Sequence, residues 1–458
     1  MASKRTRWKS STFVVNPSYN DSTFIHKFRK ELTDKDPFPH WQLRDFLHVN
    51  PSVLERIEDE LINYPLWNRK ENDLYSLHQT ADLRTINKVK YPAIAEFRRF
   101  LYGQMRDWLE NISGVELLSQ VDATGSCYAT TDCLLPHSDQ VDGRRFAFVY
   151  YFTDEPWEES FGGYTNIYNS NDDCVPTTIF ASLRPYRNSL LLFEVSERSW
   201  HSVTEVLGKD NNPRLSINGW FHSNRPVGNR VRVLSTLPRF PILNEGNISY
   251  IFDHKVVGDE AKIAMRHIFD SEKELLVKNA FQEEFKNKIL EELSSAIWAE
   301  RGPVNKRRMA EYLFEENSND GVVARFVQDF RSQKMMHFLN DVIGIHYKDA
   351  FTTVQILRLT PGCYTILGDE DVEQFEKDGD SYDFWFYFGK SQWSENAGGQ
   401  VIYIKKNVVE PVLRCPPTVD AVAIVYREKC MVPFIKYVNH LANSDPFYVI
   451  VFSIYGKM

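Results

Sequence analysis

Two histidines and an aspartate in the first half of the chain have the residue types of a metal site. His137 and Asp139 stand two residues apart in LLPHSDQ, and His201 follows in SERSWHSV. In a strand, residues two apart point to the same face, so the pair can reach one ion while Ser138 turns away. Two imidazoles and one carboxylate can hold one face of an Fe(II) ion and leave its other positions open to reactants. A His-x-Asp pair alone is weak evidence, so this prediction depends on the accompanying residues.

An arginine on a strand-like run supports the prediction. In RLSINGW, strand alternation places Arg214 on one face with Ser216, Asn218 and Trp220. A buried guanidinium is costly without an anion, and its planar fork binds a carboxylate through two hydrogen bonds. With the Ser216 hydroxyl beside it, Arg214 suits 2-oxoglutarate, whose 2-oxo acid end chelates the metal while its far carboxylate needs a cation. An intramolecular salt bridge is the alternative role for Arg214.

A further histidine competes with His201 as the third ligand. His222 follows the same strand as Arg214, but it lies beyond the aromatic run of that strand. The predicted catalytic and metal-binding residues are therefore His137, Asp139 and His201.

The elements that position these residues alternate along the chain. Apolar residues have helical spacing over about 20–115, and from Val115 the chain turns to short β-branched and aromatic runs broken by turn residues. Helical spacing returns over about 258–345, and strand-like runs follow it. This order predicts two β-rich domains of the sandwich or barrel type and indicates an internal duplication.

The duplication is visible in two segments. FAFVYYFTDEPWEESFGGYTNIY parallels YDFWFYFGKSQWSENAGGQVIYI, since each has an aromatic strand, a tryptophan, a Gly-Gly pair and another strand. In this comparison Gly368 takes the place of His137 and His440 that of His201, and no arginine follows His440. The second half is predicted to keep the fold without the chemistry.

Composition narrows the class of protein. A length of 458 residues favours two domains, and 14% aromatic residues favour β-rich architecture. The net charge of −8 argues against a general phosphate-binding surface. Six cysteines without a Cys-x-x-Cys pair argue against a zinc site or a disulfide scaffold and fit a reducing compartment. No secretory signal or membrane span is recognised, so a soluble intracellular protein is expected.

Several segments resemble the iron- and 2-oxoglutarate-dependent ribosomal prolyl 3-hydroxylases of eukaryotes. The most specific are PHSDQVDGRRFAFVYYF, GGYTNIY, LLFEVSERSWHSVTEVL, RLSINGWFH and RGPVNKR, and the resemblance covers nearly the whole chain. It implies an α+β, β-rich fold of two double-stranded β-helix domains (jelly-roll or cupin-like), each supported by helices. The expected boundaries are a flexible basic N-terminus at 1–20, a catalytic domain at 21–225, a linker at 226–250 and a degenerate non-catalytic domain at 251–458.

The resemblance also implies roles for individual residues. His137, Asp139 and His201 match the iron ligands. The residues that bind the cosubstrate would be Arg214, Tyr151, Tyr128 and Ser216. Tyr150 points away from Tyr151 and is expected to pack in the core. Arg144 and Arg145 are either solvated loop ends or contacts to the substrate.

The implied reaction is 3-hydroxylation of a proline in a small-subunit ribosomal protein near the decoding centre, with an effect on translation. Its cofactors would be Fe(II), 2-oxoglutarate and O2, with ascorbate as reductant. A regulatory protein at the second domain is a further candidate partner, and neither a membrane nor a nucleic acid is an expected one. The expected location is the cytoplasm and the nucleus. The alternatives are a nucleic-acid dealkylase on the same scaffold and a non-enzymatic, oxygen-responsive scaffold protein.

Overall fold

The computed structural model describes residues 12–457 except 142, 155, 209–212, 226–227, 229–231, 234–235, 314–320, 346–347, 407 and 409. The chain divides into two compact units, Met1–Val231 and Arg232–Met458. The predicted linker at 226–250 therefore belongs to the second unit from Arg232 onward, and within it Phe240 is buried and pairs with Thr352. None of the described helices is long and apolar enough to cross a membrane.

The N-terminal segment differs from the prediction. Residues 1–11, which include the basic cluster, lie outside the described part of the chain. Phe13 and Val15, however, are buried among the helices of the first unit, and Val15 forms a β-bridge with Leu47. The flexible terminus predicted for residues 1–20 is therefore wrong from Phe13 onward, because these apolar side chains anchor the segment to the core.

The described residues of the first unit form four α-helices and eleven strands. The helices are α1 (Ser22–Asp34), α2 (Pro51–Ile62), α3 (Pro92–Phe100) and α4 (Arg106–Ser113). The strands are β1 (His40–Leu43), β2 (Asn68–Glu71), β3 (Tyr75–Gln79), β4 (Val121–Tyr128), β5 (Cys133–His137), β6 (Arg144–Tyr151), β7 (Thr165–Ser170), β8 (Pro176–Leu183), β9 (Leu190–Glu194), β10 (His201–Val203) and β11 (Arg214–His222). Strands β1 to β3 lie in the region predicted to be mainly helical.

Local sequence explains where α2 begins and which face it buries. The Asn50 side chain caps the helix by accepting a hydrogen bond from the Ser52 N–H. Leu54, Ile57 and Leu61 then recur at spacings of three and four, which puts them on one buried face. The helix thus covers one side of the sheet and leaves the other side for the site.

The strands of the first unit follow the order β1-β9-β6-β11-β4-β3-β5-β10-β7-β8, with β2 paired to β3. Alternation along β6 divides its side chains between two environments. Phe146, Phe148 and Tyr150 pack with the helices, whereas Ala147 and Tyr151 face the opposite side. That opposite side contains the predicted site, and the expectation that Tyr150 is a packing residue is confirmed.

A close contact between β11 and β4 requires a glycine. A side-chain carbon at Gly219 would overlap the backbone oxygen of Asp122. We expect Gly219→Ala to lower the free energy of unfolding by about 1–3 kcal/mol, because the strands must shift apart. Urea denaturation measures the change. Gly208→Ala is the control, since its added carbon would meet the Phe161 side chain at ordinary contact distance. Equal destabilisation of both variants would contradict the expectation.

In the second unit, the part of the chain that the structure describes forms six α-helices and twelve strands. The helices are α5 (His254–Val257), α6 (Asp259–Glu272), α7 (Glu283–Ser295), α8 (Val322–Phe330), α9 (Gln333–Ile343) and α10 (Asp369–Asp378). The strands are β12 (Phe240–Pro241), β13 (Glu274–Lys278), β14 (Ala299–Arg301), β15 (Arg307–Glu311), β16 (Lys348–Leu359), β17 (Tyr364–Thr365), β18 (Ser381–Phe388), β19 (Val401–Lys405), β20 (Leu413–Cys415), β21 (Ala421–Arg427), β22 (Met431–Ile435) and β23 (Phe447–Lys457).

The strand order of the second unit repeats that of the first. Its larger sheet runs β13-β21-β18-β23-β16-β15-β14, with β12 on β16 and β17 on β15, and a smaller sheet runs β22-β19-β20. In the larger sheet β13, β21, β18, β23, β16, β15, β14 and β17 take the places of β1, β9, β6, β11, β4, β3, β2 and β5, and β12 is an addition. In the smaller sheet β22, β19 and β20 take the places of β10, β7 and β8. One shared detail fixes the register: Trp157 donates from Nε1 to Gly162 O at 2.9 Å, and Trp393 donates to Gly398 O at 2.8 Å.

This register corrects one of the residue correspondences that the sequence predicted between the two halves of the chain. In the first unit His201 pairs with Ile167, two residues beyond Thr165. The Trp–Gly-Gly segments match Thr165 to Val401. The equivalent pair in the second unit is therefore Pro433 and Tyr403, two residues beyond Val401. Pro433 therefore takes the place of His201, and the assignment of that place to His440 is wrong. His440 lies in an exposed turn beyond β22, and strand register rather than distance along the sequence decides which residues correspond.

Candidate active site

The two histidines of the predicted metal site meet across adjacent strands. His137 ends β5 and His201 begins β10, and the two residues are paired in the sheet. Their Nδ1 atoms lie 2.9 Å from Leu135 O and 2.8 Å from Ser199 O, respectively. Because each Nδ1 is held by a carbonyl oxygen, each Nε2 is left to face a metal ion.

Asp139 completes the group. Its Oδ1 lies 3.4 Å from His137 Nε2, and its Oδ2 lies 3.5 Å from His201 Nε2. One ligand atom from each of the three residues lies within 4.8 Å of the others, and no other such cluster occurs in the described part of the chain. A site of two imidazoles and one carboxylate on one side of a common centre fits Fe(II) with open positions.

The backbone reaches this arrangement differently from the prediction. β5 ends at His137, and Asp139 has a positive φ of 61°, so the pair does not lie along one continuous strand. A positive φ is costly for most residues, but aspartate tolerates it better than most. The turn at Asp139 directs its carboxylate back toward both imidazoles, which strand alternation alone does not predict.

Electrostatics favour the ligating forms of these side chains. Burial alone would raise the pKa of Asp139, but the hydrogen bond from His137 and the nearby positive groups outweigh it and hold that pKa well below its usual range. Burial, together with the neighbouring His137, lowers the pKa of His201 to about 4. An ionised carboxylate beside a neutral imidazole is the state that binds a metal without first losing protons.

Arg214 is a buried cation in the wall of the cavity that the metal-binding residues also line. It is 1% exposed, and its Nε donates to Gly163 O at 2.7 Å. Its Nη2 donates to Thr165 Oγ1 at 3.0 Å and to Tyr151 OH at 3.3 Å. None of the described carboxylates forms an ion pair with it, so the intramolecular salt bridge considered above is not found among them. A buried guanidinium without an anion requires an anionic ligand.

The cavity that joins these groups has a volume of about 260 Å³. Besides the metal-binding residues and Arg214, its walls include Tyr128, Ser126, Ser216 and Asn218. The hydroxyls of Ser126 and Ser216 and the amide oxygen of Asn218 are buried without a hydrogen-bond partner among the described residues. Unpaired buried polar atoms around a cavity are costly, and a polar ligand would satisfy them.

The two predicted tyrosines both lie beside the arginine. The Arg214 guanidinium carbon lies 5.0 Å from the ring centroid of Tyr151 and 5.0 Å from that of Tyr128. Burial raises the pKa of Tyr128, so its hydroxyl stays protonated and can donate a hydrogen bond. The structure therefore brings all the predicted cofactor-binding residues together, whereas His222 lies elsewhere and its Nε2 is 3.0 Å from Asp122 Oδ2.

The sequence prediction gave no role to several contacts of the site. Gly163 and Thr165 accept hydrogen bonds from the guanidinium. In the sequence they are marked only by their positions, Gly163 at the end of the Trp–Gly-Gly segment and Thr165 two residues later. Trp220 donates from Nε1 to Asp139 Oδ2 at 3.1 Å, and Arg144 stacks on the Trp220 ring at 3.5 Å. Alternation along β11 placed Trp220 on the correct face but did not show its partner. Arg145 pairs with Glu194 instead of facing the cavity.

Trp220 is expected to orient the carboxylate of Asp139. We expect Trp220→Phe to weaken metal binding by about 10- to 100-fold, since the ring is kept while the hydrogen bond to a metal ligand is lost. Calorimetric titration of the metal-free protein with Co(II) measures the effect. The control is Trp157→Phe, which removes the indole hydrogen bond to Gly162. Unchanged affinity in Trp220→Phe would show that Asp139 needs no such partner.

Comparison with known protein families defines the class. The model of the 2OG-Fe(II) oxygenase superfamily matches residues 123–222, which include all three residues of the metal site and Arg214. The model described as oxoglutarate and iron-dependent oxygenase degradation C-term matches residues 243–457. The first unit therefore contains a 2-oxoglutarate- and Fe(II)-dependent oxygenase domain, whose cofactors are Fe(II), 2-oxoglutarate and O2.

Whole-chain relatives narrow the class further, and the chain belongs to the prolyl 3-hydroxylase family. It is 31% identical to prolyl 3-hydroxylase OGFOD1 of Xenopus laevis, over 91% of this chain and 86% of the relative. It is 27% identical to prolyl 3-hydroxylase sudestada1 of Drosophila melanogaster, over 91% and 82%. A solved prolyl hydroxylase from Trichoplax adhaerens, in complex with a hypoxia inducible factor peptide, is 13% identical over 45% of this chain and 96% of its own, with a TM-score of 0.35.

Proposed function

We propose that this 2-oxoglutarate-dependent prolyl hydroxylase hydroxylates C3 of a proline in a small-subunit ribosomal protein and thereby affects translation. The observation that carries the enzymatic part is the buried, carboxylate-free guanidinium of Arg214 in one cavity with a facial metal site. Family membership supports proline as the target and speaks against a nucleic-acid dealkylase. The net charge of −8 suits a basic ribosomal substrate, because opposite charges speed encounter.

Each group in the cavity has a separate task. His137, Asp139 and His201 would hold Fe(II), which would supply open positions for 2-oxoglutarate and O2. Arg214 binds the far carboxylate of 2-oxoglutarate, with Tyr151 beside it. Held in this way, 2-oxoglutarate would have one orientation, and its oxidation by O2 to succinate and CO2 would accompany transfer of the second oxygen atom to the substrate C–H bond.

In our proposal, the second unit does not catalyse this reaction. We assign it as a degenerate double-stranded β-helix domain of the same lineage, supported by its repeated strand order. Pro433 and Phe447 stand where register places His201 and Arg214, so an imidazole and the cationic anchor are both missing. Ascorbate as reductant, a regulatory partner at this unit and a location in cytoplasm and nucleus belong to the same proposal.

Mass spectrometry of the substrate tests the proposed function. The full chain is incubated with Fe(II), 2-oxoglutarate, ascorbate and the purified small-subunit ribosomal protein from the decoding centre. We expect one peptide to gain the mass of one oxygen on a proline, and amino-acid analysis to identify 3-hydroxyproline. Arg214→Ala serves as the negative control. Hydroxylation at C4, or no gain of oxygen while succinate still forms, would contradict the proposed substrate and position.

A further inference from the structure

The second unit contains a cavity of about 200 Å³, close in size to that of the first unit. Five of its wall residues lie on the strands that correspond to the walls of the active site: Met309, Leu357, Thr365, Trp385 and Ile435. Strand register matches them, in this order, to residues that all line the first cavity: Leu77, Ser126, Leu134, Val149 and Val203. The two cavities therefore occupy the same place in their folds.

An ammonium group has replaced the metal site. The positions of its three ligands are taken by Gly368, Glu370 and Pro433, and only Glu370 could bind a cation. Lys306 forms ion pairs with Glu370 and with Asp371, the latter at 2.7 Å. A side-chain carbon at Gly368 would overlap Lys306 Nζ, so the ammonium fills the space of the missing imidazole. The retained carboxylate is thereby neutralised without a metal ion.

Apolar side chains have replaced the cosubstrate site. Phe447 stands where register places Arg214, and Val401 stands where it places Thr165. Phe447 is 2% exposed and packs against Trp393, with ring centroids 5.1 Å apart. No cation remains at this position to hold the far carboxylate of 2-oxoglutarate, and the cavity wall now includes Trp385 and Phe434 as well as the basic residues Arg301 and Arg307.

A segment of the second unit lies along the edge of this cavity. Val233 donates its backbone N–H to Glu370 Oε1 at 3.3 Å, and Leu237 contributes to the cavity wall. Both residues precede β12 and lie outside helices and strands. The edge of the cavity thus already holds a backbone amide and an apolar side chain. Trp385, Pro433 and Phe434 add the aromatic and ring surfaces on which proline-containing segments dock.

We propose that the cavity of the second unit is a non-catalytic binding site for an extended, proline-containing peptide, with the Lys306 ammonium in place of the metal ion. This inference rests on the proposed function, because the class of ligand is carried over from the first cavity. The unit would hold a proline-containing segment without oxidising it, which would give the enzyme a second contact with a protein chain.

Photo-cross-linking of the full chain tests this site. The probe is the capped peptide acetyl-Ala-photoleucine-Pro-Ala-amide, and labelled residues are identified by mass spectrometry. We expect labels on β16, β18 or β22 as well as in the first cavity, and about tenfold weaker labelling of the second unit when alanine replaces the proline of the probe. Equal labelling by the alanine probe, or labels confined to the first unit at saturation, would overturn the proposal.

Paired variants separate the two cavities. Leu357→Trp fills the second cavity and should reduce labelling of the second unit by about tenfold while hydroxylation continues. Ser126→Trp fills the corresponding position of the first cavity. It should reduce hydroxylation and leave labelling of the second unit unchanged. Pro433→Trp, at a partly exposed position, provides a second way to fill the cavity if Leu357→Trp does not fold. If the second unit is labelled as described but no ribosomal proline gains oxygen, the proposed function fails and this binding site stands.

Discussion

Replacement of Asp139 by alanine should abolish both succinate formation and proline hydroxylation. The carboxylate is the only anionic ligand of the facial site, and without it two neutral imidazoles must hold the ion alone. Its removal also leaves Trp220 Nε1 without its acceptor. We expect no substrate-dependent turnover of 2-oxoglutarate, measured as succinate released, at the Fe(II) concentrations at which the wild-type enzyme is active.

The control for this variant is Asp173→Ala, which removes an exposed carboxylate from the same unit. It should retain wild-type turnover, and both variants should keep the wild-type circular dichroism spectrum. Undiminished turnover in Asp139→Ala would show that the metal is held elsewhere.

Replacement of Arg214 by alanine should raise the 2-oxoglutarate concentration needed for half-maximal turnover by roughly 30-fold or more. This follows from the loss of about 2–5 kcal/mol when one member of a buried, hydrogen-bonded charge pair is removed. Fe(II) binding should change little, because the guanidinium makes no contact with the three metal-binding side chains. Steady-state kinetics at varied 2-oxoglutarate measures the first effect, and metal titration the second.

Arg214→Lys distinguishes charge from geometry. Lysine keeps the positive charge but cannot donate two parallel hydrogen bonds to a carboxylate, and it does not reproduce the present contacts with Gly163 and Thr165. We expect the 2-oxoglutarate concentration for half-maximal turnover to lie between that of the wild type and that of Arg214→Ala. A wild-type 2-oxoglutarate dependence in Arg214→Ala would place the carboxylate anchor at another residue.

Most residues of the predicted site lie on regular elements, and for this reason the sequence could place them together. His201 and Arg214 begin strands, and alternation along β11 turns Arg214, Ser216 and Asn218 toward one cavity. Local periodicity contains that information. The β-rich class of fold could also be predicted from the sequence, because the aromatic strands and the Gly-Gly segments occur twice in a comparable order.

Other features depend on contacts between distant segments, which periodicity does not encode. The left-handed turn at Asp139 and the hydrogen bond of Thr165 to Arg214 become visible only when the strands are paired. Register likewise assigned Pro433, rather than His440, to the place of His201. The ammonium of Lys306 was also missed, because it reaches the degenerate site from a loop that sequence comparison had not connected with it.

Metal stoichiometry tests the central claim, that one unit performs the chemistry and the other does not, most directly. The metal-free chain is titrated anaerobically with Fe(II) in the presence of 2-oxoglutarate, and the visible charge-transfer absorption of the chelated cosubstrate is recorded. The claim predicts saturation at one ion per chain and loss of the absorption in His201→Ala, with an unchanged signal in His440→Ala. Saturation at two ions per chain, or a signal that survives in His201→Ala, would contradict it.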